Sequence, residues 1–323
     1  MGTSVTITTG ARLHFGPLAA AGSTGGKFGG VGMMVSSPGF VLSARTACQD
    51  EYYGDEIVCG RAAEFVRRIR EASVGGHSIP GIRIEFLETI PSHAGLGSGT
   101  QLGLAVARAI SELANEPDVG VEVLARRAGR GLRSAIGLHG FASGGFLVDG
   151  GRAGSEQLGT LVSRIEFPAG WRLLLVAPSQ SKGLSGAAEQ SAFESQSPMP
   201  QSLTSNLCRI ALMEWMPGLI EADFSRVSNA MHEFGLCVGR FFEPVQDGVF
   251  GHPLMGQLAE EVRHRGFAGV AQTSWGPTVC ILCDGDASAQ ELMTDLASDS
   301  RWSDCVFRLT EPLNRGAQVV SCK

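Results

Sequence analysis

The stretch "IPSHAGLGSGTQLGLA", residues 90–105, decides how the rest of the chain is read. Gly95, Gly97 and Gly99 alternate with Leu96 and Ser98, and an apolar run follows directly. Upstream, "GIRIEFLETI" (81–90) sets Ile82, Ile84 and Phe86 on one face at the two-residue period of a half-buried strand. Downstream, "TQLGLAVARAISELANE" (100–116) places Leu102, Ala105, Val106, Ala109 and Leu113 at helical spacing, and Pro117 closes the run. The unit is strand, glycine loop, helix. Such a loop aims backbone N–H groups and the positive end of a helix dipole at a ligand, the combination that cradles phosphate.

Two general phosphate patterns do not fit. The Walker loop ends in Gly-Lys-Ser/Thr, whereas Gly99 is followed by Thr100 and Gln101. The dinucleotide fingerprint needs a glycine where Thr100 stands.

The 323 residues suit two domains, and 43% hydrophobic with 18% charged residues describes a folded globular chain. A net charge of −6 without a Lys/Arg block argues against nucleic acid as a partner. No apolar run reaches the length of a membrane span, and no signal-peptide pattern opens the chain, so a cytoplasmic setting is expected. The eight cysteines follow no disulfide framework. The C-x-x-C pair Cys280 and Cys283, in "TVCILCD", would point to opposite faces of a strand and serve packing. Glycine is in excess, 44 residues, much of it in clusters such as "STGGKFGGVG" and "ASGGFLVDGG", where backbone can approach a ligand closely.

Along the chain, "SVTITTGARLHF" and "GMMVSSPGFVLSAR" read as strands, "RAAEFVRRIREAS" and "VEVLARRAGR" as helices, and "SGGFLVDGG" and "WRLLLVAPS" as further strands. A Pro/Ser/Gln-rich piece, "SQSPMPQS", precedes a long helical run over 203–235. The expected division is a first domain over 1–167, carrying the glycine loop, and a second over 168–323.

"PSHAGLGSGTQ" resembles the phosphate-binding motif of the GHMP superfamily, which includes galactokinase, homoserine kinase and mevalonate kinase. In those kinases a Pro-x-x-x-Gly-Leu-Gly-Ser-Ser stretch wraps nucleotide phosphates. Pro91, Gly95, Leu96, Gly97 and Ser98 match it, while Gly99 and Thr100 depart toward "GSGTQ". That variant resembles the β-ribofuranosylaminobenzene 5′-phosphate synthase branch. "ARLHFG", "GGVGMMV", "GRGLRSAIGLHGFASGGFLVDGG" and "GVAQTSWGPTVC" are similar to that branch's motifs and stand in the same order. The resemblance implies a two-domain α/β (α+β) GHMP-kinase-like fold, with the phosphate site in the N-terminal domain and an α+β C-terminal domain. It implies an enzyme that condenses 5-phosphoribosyl 1-pyrophosphate with 4-aminobenzoate or 4-hydroxybenzoate, releasing CO2 and pyrophosphate, in tetrahydromethanopterin biosynthesis. Magnesium is the implied cofactor, its ligands unknown, and a homodimer is an open expectation.

That chemistry assigns roles to residue types. The departing anion needs donors, which the loop Gly95, Leu96, Gly97, Ser98, Gly99, Thr100 and Gln101 can supply from its backbone and hydroxyls. Phosphate and carboxylate both suit arginine or lysine, and Arg12, Arg130, Arg133, Lys27 and Lys182 lie in or beside the motifs, as does Ser134. His14 and His139 are the candidate titrating groups, with Arg133 beside them in the catalytic set; a buried structural role for His139 is the equal alternative. Ser274, Trp275 and Gly276 offer an aromatic face with close backbone approach, core packing being the bland reading of Trp275. Many kinases of the superfamily resemble one another in a middle-segment aspartate, yet "RSAIGLHGFAS" has no acidic residue, and Asp149 in "FLVDGG" reads as structural. An ATP-dependent small-molecule kinase of the same fold is the alternative activity.

Overall fold

The computed structural model describes residues 4–20, 28–72, 81–132, 134–154, 157–180 and 198–322. Two sheets and a helical layer form the first half. β1 (Ser4–Thr8), β4 (Val41–Ala47), β5 (Glu51–Tyr53), β6 (Gly81–Glu88) and the last strand of the chain, β13 (Gln318–Cys322), make one sheet in the order β13-β1-β4-β6-β5. β2 (Ala11–Pro17), β3 (Gly30–Val35), β7 (Phe146–Asp149) and β8 (Leu161–Ile165) make the second, in that order. Alternation is visible in the first sheet: Val5 and Ile7 of β1, and Ile82, Ile84 and Phe86 of β6, are buried between more exposed neighbours.

The helix after the glycine loop, α2 (Ser98–Leu113), is the centre of this half. It touches β1, β2 and β4 on one side and α1 (Glu56–Ala72), α3 (Val121–Ala128) and α4 (Ile136–Ser143) on the other. An amphipathic stripe would not serve there, and residues 101–107 are all buried, small Gly103 and the alanines letting neighbours close in. The Cβ that Gly103 lacks would lie 2.9 Å from the Phe65 ring of α1.

The second half is a third sheet with helices on both faces. β9 (Arg172–Pro178), β10 (Val270–Gln272), β11 (Val279–Cys283) and β12 (Cys305–Thr310) order as β10-β11-β9-β12, all antiparallel. One face carries α8 (Pro253–His264) and α9 (Asp286–Ser298), and Cys283 lies in that core, whereas Cys280 joins the main core on the opposite face. The helical run expected over 203–235 is broken. α5 (Gln201–Arg209), a π-helical stretch (Ile210–Trp215) and α6 (Met216–Glu221) are continuous, then Ala222 turns left-handed at φ 53 and Asp223 caps α7 (Phe224–Gln246) by accepting from the N–H of Arg226. The cap is local chemistry that hydrophobic periodicity does not register.

The chain changes sheet between β8 and β9 and then returns. Residues 311–322 lie on the first half, where β13 pairs with β1, Pro312 bridges Val35, and Leu313 bonds Met34 and Gly145. Asn314 clamps the junction, its side chain exchanging two 2.8 Å hydrogen bonds with the backbone of Phe167.

Asp149 closes the end of β7 onto α4. Its fully buried carboxylate accepts from the N–H of Ala135 at 2.7 Å and of Gly151 at 2.8 Å. Burial pushes its pKa above the usual carboxylate value, and the two backbone donors oppose that shift. Gly159 packs so closely over both oxygens that no side chain fits there. Asp149→Ala leaves two buried donors unsatisfied and is expected to destabilise the fold by about 2–4 kcal/mol, read as a fall in the urea midpoint at unchanged slope.

Candidate active site

The glycine loop is held in shape from two directions. Gly95 (φ 76) and Gly97 (φ 71) are both left-handed, a region open to glycine at no steric cost. Gly97 is the N-cap of α2 and offers no side-chain cap, so the first N–H groups of that helix are left for an external acceptor. From the first half, the N–H of Arg12 in β2 donates to Leu96 O at 3.1 Å. From the third sheet, Thr273 Oγ1 donates to Gly95 O at 3.0 Å and Thr278 Oγ1 to Ala94 O at 2.7 Å. The same turn binds β2: the N–H of Ser274 donates to His14 O at 2.6 Å, and the N–H of His14 donates to Thr273 Oγ1 at 2.9 Å. Loop 95–101 and "TSWGPT" therefore face each other, as expected. Contact is close enough that a Cβ on Gly95 would lie 2.5 Å from Thr273 O and 3.1 Å from Gly276 O.

Three guanidinium groups converge on this loop. Arg12 lies along Gly97, whose missing Cβ would be 2.8 Å from its Nε. Arg61, from the first turns of α1, and Arg130, just after α3, lie over Gly99, where a Cβ would stand 2.9 Å and 3.5 Å from their Nη2 atoms. Arg61 is oriented by donating to Ser92 Oγ at 3.0 Å, and Arg130 lies over the Phe65 ring, 4.8 Å from its centroid. Burial lowers the pKa of Arg61, partly offset by Glu64, yet an arginine starting above 12 stays cationic. The sequence places Arg61 only at the start of a helix. The available signal was its place four residues before Phe65 on the buried stripe of α1, where a charge needs a reason.

The first turn of α2 adds polar groups. Ser98 is buried, and Thr100 packs its methyl toward Gly137. Gln101 is wholly buried; its Nε2 donates to Gly137 O at 2.8 Å, while Oε1 has no partner. Ser134 accepts weakly from the N–H of Ile136 at 3.4 Å, at the start of α4. His14 stands beside Arg12 on β2 with its Nε2 buried, unpartnered and against Gly30.

Other expected residues lie elsewhere. His139 turns its Nε2 to Gly159 O at 2.9 Å, on the Asp149 side of α4 and away from the loop. The Trp275 indole is 7% exposed and packs on Phe242, ring centroids 4.6 Å apart, so the backbone of its turn meets the glycine loop while its ring fills the core. Lys27, Arg133 and Lys182 lie outside the described residues. Among the described residues no group of three or more His, Cys, Asp or Glu side chains is placed to hold a metal, and no helix is long and apolar enough to cross a membrane.

Residues 58–145 match the GHMP kinases N terminal domain, the span from α1 through the glycine loop to α4. A β-ribofuranosylphenol 5′-phosphate synthase of Methanothermobacter thermautotrophicus is 30% identical over 296 residues, 86% of this chain and 88% of that protein. The chain belongs to that synthase family. A second synthase of the same name, from Archaeoglobus fulgidus, is 28% identical over 97% of this chain and 98% of its own. The family's fold is that of the kinases: mevalonate diphosphate decarboxylase from Staphylococcus aureus superposes with a TM-score of 0.69 at 14% identity, covering 99% of this chain and 98% of its own. Homoserine kinase from Cytophaga hutchinsonii gives 0.64 at 16% identity, over 98% and 97%. The chain is accordingly an enzyme on a GHMP scaffold.

Burial, and secondly the charge of Arg12, push the pKa of His14 down to about 3, so the ring is neutral at neutral pH. Above its unfolded value of 6.5 both states are neutral and pH has no leverage. As pH falls from 6.5 towards 3, the unfolded chain takes up a proton that the folded one refuses, and stability falls by at most about 1.4 kcal/mol per pH unit. His14→Gln should therefore flatten the decline in melting temperature between those pH values. An unchanged slope would show that the ring protonates freely in the folded protein.

Proposed function

We propose that this enzyme joins the anomeric carbon of 5-phosphoribosyl 1-pyrophosphate to the carboxyl-bearing ring carbon of 4-hydroxybenzoate or 4-aminobenzoate, releasing CO2 and pyrophosphate, in tetrahydromethanopterin biosynthesis. The observation that carries this is the convergence of Arg12, Arg61 and Arg130 on the uncapped N-terminus of α2 at Gly97–Gly99. Cations and open N–H groups around one glycine turn suit a departing polyanion. The relatives named for a phenol product favour the hydroxy acid.

In this reading the C1–O bond of the ribose breaks with its electron pair going to pyrophosphate, whose growing charge meets the three guanidinium groups and the N–H groups of Ser98 and Gly99. The ring carbon attacks the cationic C1, and loss of CO2 returns the C–C electron pair to the ring. No proton need be removed. That agrees with a neutral, buried His14, fit to orient a hydroxyl but not to cycle through its charged form near neutral pH. It agrees also with the lack of a carboxylate in 134–143 and with Asp149 being occupied by two backbone donors.

Magnesium fits this donor set as an ion carried by the substrate diphosphate. The hydroxyls of Ser98 and Thr100 and the buried, unpartnered Oε1 of Gln101 are hard oxygen donors, and they would hold it beside the loop. When bound it would take up negative charge on the leaving group.

The test is release of labelled CO2 from carboxyl-labelled 4-hydroxybenzoate or 4-aminobenzoate with phosphoribosyl pyrophosphate and magnesium, ATP being unable to substitute. The match to a kinase domain favours one rival, an ATP-dependent kinase. Consumption of ATP with a phosphorylated product and no labelled gas would install it. Within the proposed reaction, Arg61→Ala should weaken binding of the pyrophosphate substrate by about 1.5–3 kcal/mol, measured as Kd by titration calorimetry.

A further inference from the structure

A second recess, of about 290 Å³, lies between the glycine loop and the third sheet. Its walls are mostly apolar: Leu96 from the loop, Leu175, Ala177 and Pro178 from β9, Pro277 from the closing turn and Val306 from β12. The pleat explains this lining. Along β12, Cys305, Phe307 and Leu309 pack into the core under α8 and α9, which leaves Val306 and Arg308 on the other face. Along β9, Leu174 and Val176 take that core and Leu175 and Ala177 the recess, with Leu175 directly opposite Arg308 in the ladder. Val306 is left 50% exposed, a large apolar side chain facing open space.

Arg308 is the one charged side chain among the described residues lining this recess, and no described carboxylate pairs with it. An arginine on a mostly apolar wall, with Ser92, Ser179, Gln180 and Thr278 as its uncharged polar members, suits an occupant with a flat hydrocarbon body and a single anionic group. The volume sits at the bottom of the roughly 300–1,000 Å³ range of small-molecule sites, enough for one ring. Position relative to the anion site is fixed by two shared residues. Leu96 stands between Gly95 and Gly97, and Ser92, also on the wall, accepts from the Arg61 that covers Gly99.

We propose that this recess is the acceptor subsite, taking a monocyclic aromatic carboxylate with its ring between Leu96 and the Leu175–Val306 wall and its carboxylate on Arg308. The assignment rests on the ribosyl-transfer reading above and names the residue that selects its second substrate. Decarboxylation removes the charge that Arg308 recognises, so the ion pair that recruits the acceptor disappears in the product. Arg308 acts in recruitment, and its loss should appear in KM for the acceptor and spare KM for the pyrophosphate substrate.

The experiment compares the full-length protein with Arg308→Gln and Arg308→Lys. Arg308→Gln should raise the acceptor KM on the order of 10- to 100-fold, with the other KM within about twofold, and Arg308→Lys should recover part of the loss. An Arg308→Gln protein of unchanged melting temperature and unchanged acceptor KM would overturn the assignment. If the unmodified protein releases no CO2 from either acid, the reaction is wrong and the recess is judged by calorimetric titration with benzoate and with phenol. Benzoate bound by the unmodified protein, with phenol and Arg308→Gln each on the order of tenfold weaker, sustains the subsite. Equal affinities, or no binding of benzoate, refute it.

Discussion

Two threonine hydroxyls hold the chemistry of this molecule together. Thr273 and Thr278, on either side of one turn of the third sheet, donate to consecutive carbonyls, Gly95 and Ala94, of a loop that belongs to the first half. Thr273 also accepts from the backbone of His14, so β2, the glycine loop and the third sheet meet at one side chain. These carbonyls precede a helix, and without the threonines they would lose the partners that satisfy them in a partly buried place. The clasp thus fixes how the third sheet sits over the N-terminus of α2, and with it the width of the recess that ends at Arg308.

Glycine at 95 and 97 follows from that clasp. Both residues take left-handed backbone, and both are crowded from outside, Gly95 by the carbonyls of Thr273 and Gly276 and Gly97 by the Arg12 side chain. The first crowding lets the glycine loop and the third sheet touch through backbone alone. The second lets a guanidinium lie flat on the turn whose N–H groups it reinforces. At Gly99 the backbone is helical, and glycine leaves space for Arg61 and Arg130.

Electrostatically the site is assembled from arginines and a helix terminus, with its histidine kept neutral by burial and by a neighbouring cation. This suits chemistry in which charge leaves on an anion and no proton changes hands. The same scaffold in kinases hosts phosphoryl transfer, and the aspartate nearest in sequence, Asp149, is here committed to tying α4 to β7. One fold accepts either task because function lives in the residues set around a shared scaffold.

Much of the scaffold was legible in the residues. Period-two alternation in 81–88, the glycine loop and the apolar run behind it are local patterns, and local patterns survive into the structure because they bury the same faces in any packing that works. The family resemblance ran through motifs of the same kind. Arg12 and Arg130 lie inside them and are candidates on that ground; Arg61 and Arg308 lie in an ordinary helix and strand, where nothing local separates a charge beside the loop from a solvated one. Trp275 shows the converse, since its motif marked the site while its ring turned to Phe242, a choice made by the left-handed residues on either side. The return of β13 to β1 and the break at Ala222 were likewise hidden, the first because pairing across 300 residues leaves no periodic trace. Sequence by itself determined the strand–loop–helix unit; tertiary structure alone decided which distant side chains converge on it, because convergence depends on the path of the whole chain and not on any window of it.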